Sequence, residues 1–143
     1  MGASITTARD EILTLFRTAW LANSDSSSVP IFYADAAQAP PDGDSPYVVI
    51  RVQHESGRPS SLSGGLGAQK FSRQGTIRVA IYTPQGDGLT RNDELTQVAM
   101  DAFVAQDTAS GIWFSGVVGA ELGHENDMFV TEVRVGFRYT EFK

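Results

Sequence analysis

The sequence predicts an α+β fold, a two-layer sandwich in which a mostly antiparallel sheet of about five strands carries two helices on one face. Three observations predict it. Two segments repeat apolar residues at three- and four-residue steps, and the other regular segments alternate apolar with polar residues. The order they imply, α-β-β-β-α-β-β, supplies too few helices to cover both faces of a sheet. The third is the half-polar character of the strands, which suits a sheet with one wet face.

The first helix is read over residues 4–22, with Ile5, Ala8, Ile12, Leu15, Phe16 and Ala19 as its stripe and Leu13 and Trp20 widening it. "NSDSSS" (23–28) ends it, because these side chains compete for backbone hydrogen bonds. "VPIFYA" (29–34) reads as a strand lying at a sheet edge, since Pro30 has no N–H. After the turn-rich "QAPPDGDSP" (38–46), "YVVIRVQH" (47–54) turns Val48, Ile50 and Val52 one way and Val49, Arg51 and Gln53 the other. "TIRVAIYT" (76–83) does the same with Ile77, Val79 and Ile81 inward, and the two runs read as an antiparallel pair.

"PQGDG" (84–88) is a turn before the second helix, read over 91–106 with Leu95, Val98, Ala99, Ala102 and Phe103 on one side. Thr90 and Asp93 suggest a capping box at its start. "GIWFSGVVGAEL" (111–122) and "MFVTEVRVGFRYTEF" (128–142) read as the closing strands. With 143 residues and no internal repeat, the chain is expected to be a single domain, 1–143.

Composition narrows the function classes. There is no cysteine, so disulfides, thiolate metal sites and cysteine nucleophiles are excluded. "MGASITTARDE" lacks the apolar core of a signal peptide, and no run approaches the ~20 apolar residues needed to cross a bilayer. A soluble intracellular protein without membrane partners is expected. The net charge of −6 argues against general nucleic-acid binding. Its distribution says more. From Gly57 to Arg78 there is no acid but there are Arg58, Lys70, Arg73 and Arg78, which leaves −10 on the remainder.

Catalytic and ligand motifs are weak. "SGGLGAQKF" (63–71) has Lys70 followed by Phe71 where a phosphate loop requires Ser or Thr, so a linker is the better reading. His54 lies beside Glu55, and His124 lies in "ELGHEND" (121–127) with Glu121, Glu125 and Asp127. The latter, like "DGD" (42–44), fits a solvated turn better than a cation site, because the ligand spacing matches no known loop. No serine occupies a nucleophile elbow. The expectation is a non-enzyme with no cofactor and no metal.

The segment "HESGRPSSLSGGLGAQKFSRQG" (54–75) is therefore the most informative stretch. Ordering residues 57–70 at about 1–2 kcal/mol each would outweigh the net stability of a whole domain, about 5–15 kcal/mol. Only Leu62 and Leu66 offer apolar anchors. A β-hairpin arm at about 55–75, mobile in the lone chain and ordered by contact with other subunits, and a plain solvated loop fit these residues about equally, with a nucleic-acid contact well behind. Arg58, Leu62, Leu66, Lys70, Phe71 and Arg73 are the arm's candidate contact residues. A basic arm on an acidic body favours head-to-tail contacts between copies.

"FSRQGTIRVAIYTPQGDG" (71–88), a strand led by an aromatic and an Arg-x-Gly and followed by a Gly-rich turn and an amphipathic helix, resembles the phage tail terminator (tail completion) proteins of long-tailed bacteriophages. The likeness extends to "VPIFYADAAQAPPDGDSPYVVIRV" (29–52) and to "VRVGFRYTEF" (133–142). Met128 and Phe129 stand where that family's last strand is led by Trp, and Gly136 where Pro is frequent. The resemblance implies a ring, a homohexamer, on the head-proximal end of the tail tube. Such a ring stops tube polymerisation and presents a surface to the head-completion or connector protein. It also implies a virion location after assembly in the host cytoplasm, with DNA only as passing cargo. The alternatives are another head–tail joining or tail-tube structural protein, or a small α+β ligand-binding domain.

Overall fold

The computed structural model describes residues 4–33, 45–55, 58–59, 70–84, 89–104, 108, 111–125 and 128–142. The elements run α1 (Ile5–Ala22), β1 (Ile31–Tyr33), β2 (Tyr47–His54), β3 (Arg58–Pro59), β4 (Lys70–Pro84), α2 (Thr90–Asp101), β5 (Trp113–Glu125) and β6 (Met128–Phe142). Ser4 caps α1, its hydroxyl accepting from the Thr7 N–H at 3.1 Å. Ala8, Ile12, Phe16 and Trp20, four residues apart, form the buried stripe, while Leu13, Leu15 and Ala19 flank it. Ile5 is 38% exposed, so the buried face starts one turn later than the apolar spacing implies. Past the helix end, the Ser26 hydroxyl donates to the Trp20 carbonyl (2.6 Å) and the Trp20 indole donates to the Val29 carbonyl (3.0 Å). This polar turn delivers the chain to β1.

The sheet is mixed, in the order β1-β2-β4-β6-β5, with the two-residue β3 paired to β4. β1 takes the edge position that Pro30 demands, but it runs parallel to β2, with Ile31 opposite Val48; every other pairing is antiparallel. The Pro30 carbonyl still contributes, accepting from the Val48 N–H at 3.1 Å. β2 and β4 form the expected antiparallel pair from Tyr47–Tyr82 to His54–Gly75. β4 is longer than the run 76–83, because β6 supplies a backbone partner for every residue from Lys70 (opposite Phe142) to Pro84 (opposite Met128).

Val48, Ile50, Ile77, Val79, Ile81, Val133 and Val135 face the helices and are buried with Leu95, Ala99 and Phe103. Phe103 stacks on Phe16 at 5.9 Å, and Phe16 on Trp20 at 5.3 Å, joining the two helices above the sheet. α2 begins differently from the capping-box expectation. Leu89 is its N-cap, without a side-chain cap, and its carbonyl accepts from the Asp93 N–H at 2.8 Å. Thr90 is thereby already inside the helix and cannot cap it. The helix ends at Asp101, and the following turn still buries Ala102 and Phe103.

One buried polar residue ties the layers together. The Asn92 amide donates to Thr83 Oγ1 (3.1 Å) and the Ile81 carbonyl (3.4 Å), and its oxygen accepts from Thr131 (2.5 Å) and Thr96 (3.4 Å). This reads α2 against both central strands. Asn92→Ala is expected to lower stability by about 1–3 kcal/mol through the orphaned threonine hydroxyls, measurable as a fall in the urea midpoint with unchanged slope.

β5 bulges between Ser115 and Val118, where Gly116 sits at φ +63°, and again between Glu121 and Gly123. The expected turn over 121–127 is instead strand as far as Glu125, because β6 supplies partners there: Glu121 lies opposite Thr131, His124 opposite Phe129 and Glu125 opposite Met128, and only 126–127 lie outside the described residues. The "DGD" turn (42–44), Leu62, Leu66 and the rest of 60–69 also lie outside them. Among the described residues no helix is long and apolar enough to cross a membrane.

Candidate assembly surface

The base of the arm is part of the central sheet. Lys70 to Gly75 pair residue by residue with Phe142 to Phe137 of β6, and on the other side Arg58 lies opposite Ser72 and Pro59 opposite Phe71. Of the candidate contact residues, then, Lys70, Phe71 and Arg73 are strand positions and Arg58 lies in a short adjoining strand. Arg73 is half-buried opposite Tyr139.

What pins this base is a slot at Gly75. His54, Gly75 and Phe137 stand in one row across β2, β4 and β6. A Cβ on Gly75 would collide with the Gln53 carbonyl oxygen and come within 2.5 Å of Phe137 Cζ. The absent side chain lets the His54 and Phe137 rings meet edge to face at 5.2 Å. The Arg9 guanidinium of α1 donates to His54 Nδ1 (3.3 Å) and approaches the Val52 carbonyl (3.4 Å). A guanidinium only donates, so Nδ1 accepts, and the ring proton resides on Nε2, 2.9 Å from the Tyr139 hydroxyl. The first helix is thus fastened to the root of the hairpin.

On the opposite sheet face no helix lies among the described residues. Here Arg51, Arg78 and Arg134 stand directly opposite one another across β2, β4 and β6, and all three are exposed. Arg134 pairs with Glu132 at 2.5 Å. Among the described residues neither Arg51 nor Arg78 has a carboxylate within ion-pair reach. A recess of about 220 Å³ opens between them, lined also by Val49, Ala80, Tyr82 and Glu132. Along the same face Arg138 lies opposite Trp113, which is 66% exposed. At the other end Tyr47 stacks on Tyr82 at 4.6 Å, with Phe32 edge-on to Tyr47 at 5.9 Å. Like charges directly opposed in neighbouring strands destabilise a sheet, so this row costs the lone chain stability.

The helix layer has the other sign. Asp10 and Glu11 on α1, Asp25 after it, and Asp93, Glu94 and Asp101 on α2 outnumber Arg9, Arg17 and Arg91. Arg9 is engaged with His54, and Arg91 lies 3.7 Å from Glu94. An open groove of about 480 Å³ follows α1, lined by Asp10, Glu11, Leu15 and the threonines at 7, 14 and 18.

The positive charge expected over 57–78 is not confined to the arm. Arg78 belongs instead to the open face, where three further arginines join it. Alternation already turned Arg51 and Arg134 outward. Their meeting depends on the strand order and the register, which periodicity does not carry.

No protein-family model matches the chain, and no curated protein matches it. Solved structures do. One, whose description names no function, superposes with a TM-score of 0.71 over 96% of this chain and 96% of its own, at 12% identity. A second is a chain of the virion of a native gene transfer agent particle, with a TM-score of 0.57 over 96% of this chain and 100% of its own, at 15% identity. At these identities what is shared is the fold.

Proposed function

We propose that this chain is a structural protein of a phage-like virion, and within that class a tail terminator: a ring on the head-proximal end of the tail tube that ends polymerisation and receives the head-completion protein. The observation that carries the reading is the second structural likeness, in which the whole of a virion-particle chain is matched by nearly the whole of this one. The resemblance of residues 29–52, 71–88 and 133–142 to tail terminators supplies the finer assignment. The role is non-catalytic. Arg58, Leu62, Leu66, Lys70, Phe71 and Arg73, at and beyond the root of the hairpin, are the proposed contacts with the tube and with sister subunits.

The test uses uncapped tail tubes mixed with the purified protein and viewed by negative-stain microscopy. The expected result is a plug at one end of each tube, and particles lacking the protein should carry overlong tubes. Bare tube ends with normal tube lengths would overturn the terminator. A tube-subunit or connector role accounts for the same structural likeness. It would show instead as absent tubes, or as finished tails left detached from heads.

A further inference from the structure

We propose that the open arginine face of one copy seats on the acidic α1 side of the next, so that the chain associates with itself head to tail. The inference deepens the ring reading above and rests on it only for closure into a ring. Four features carry it. The row Arg51–Arg78–Arg134 is exposed on a sheet face that no element of the chain covers among the described residues. The helix layer on the opposite side carries an excess of carboxylates, with Asp10 and Glu11 lining an open groove. The face is large enough. Four strands (β2, β4, β6 and β5) at ~4.8 Å spacing and ~13 residues of length offer roughly 800 Å², the share one partner contributes to a standard interface. Finally, the face is not purely polar: Trp113 and Val118 are exposed on it, beside Arg138 and Arg134.

The sign pattern also selects the symmetry. A two-fold contact of this face with itself would set each arginine row against its twin, which is repulsive. A contact of opposite faces is heterologous and gives closed rings or open stacks. Seated on the neighbour, Arg51 and Arg78 gain the carboxylates that their own sheet withholds, and the like-charge strain of the row is relieved. Nucleic acid is the weaker occupant, because a chain of net charge −6 offers a polyanion little attraction outside this strip and the short basic segment from Arg58 to Arg73.

The experiment is analytical ultracentrifugation of the full chain across protein and salt concentration, with charge-swap variants. Wild type should self-associate and lose at least tenfold in affinity between 50 and about 500 mM salt. Arg78→Glu and, separately, Asp10→Arg should each weaken association about tenfold or more with unchanged circular dichroism. The double variant, Arg78→Glu with Asp10→Arg, should recover most of it. A wild type that stays monomeric at millimolar concentration would overturn the inference. So would single variants that associate normally, or a double variant no better than the singles. Binding of a single-stranded oligonucleotide lost in Arg78→Glu, with no self-association, would overturn it in favour of nucleic acid. None of these outcomes depends on tail tubes, so a chain that associates as stated yet leaves tubes uncapped would sink the terminator reading alone.

Discussion

Gly75→Ala is expected to destabilise the protein by about 2–4 kcal/mol. The added methyl meets two obstacles that cannot both move. One is the backbone carbonyl of Gln53 in β2, part of the ladder opposite β4; the other is the Phe137 ring in β6, at 2.5 Å. Overpacking in a filled site costs about 1–3 kcal/mol, and displacing a ladder carbonyl adds roughly 1 kcal/mol for the weakened hydrogen bond. Urea unfolding reads the loss. Adding Phe137→Ala should not restore stability, because the Gln53 carbonyl remains in place and a cavity is opened beneath Tyr139. A Gly75→Ala protein of wild-type stability would show that the row at His54, Gly75 and Phe137 is not as tightly closed as its geometry states.

Leu95→Asp should abolish folding altogether. Leu95 is fully buried on the side of α2 that packs on β4 and β6. Loss of the leucine alone is worth about 2–5 kcal/mol. The carboxylate adds several more, since no basic group among the described core residues can pair with it. Together they match the whole net stability of a typical domain, about 5–15 kcal/mol. The variant should show no cooperative thermal transition. Leu95→Met, which conserves volume, should lose less than about 1.5 kcal/mol and keep the transition. That contrast separates a charge effect from general intolerance at the site.

Much of this architecture was legible in the sequence, for identifiable reasons. Both helices announce themselves through period, and the β2–β4 pair through alternation of Val48, Ile50, Ile77 and Val79. What escaped depends on partners far along the chain. The start of β4, residues 70–75, has Phe71 but no alternation of apolar with polar residues, and it is a strand because Tyr139 and its neighbours in β6 pair with it. The parallel setting of β1 follows from tertiary placement, which a three-residue strand cannot encode. Asn92 reads as an ordinary polar helix residue until Thr83, Thr96 and Thr131 are seen around it. The open basic face was hidden for the same reason: four arginines spread over three strands become neighbours only once the register is set.

The fifteen-residue pairing of β4 with β6 has a kinetic consequence. Between these two strands lie α2 and β5, so the middle of the sheet cannot zip until residues 128–142 have left the ribosome. Until then the β6 side of β4 offers a bare row of amides to any passing strand, a hazard for misassembly. Contacts this distant in the chain belong with refolding in milliseconds to seconds and not microseconds. The slow closing of that central seam sets how long each new chain stays open to misassembly.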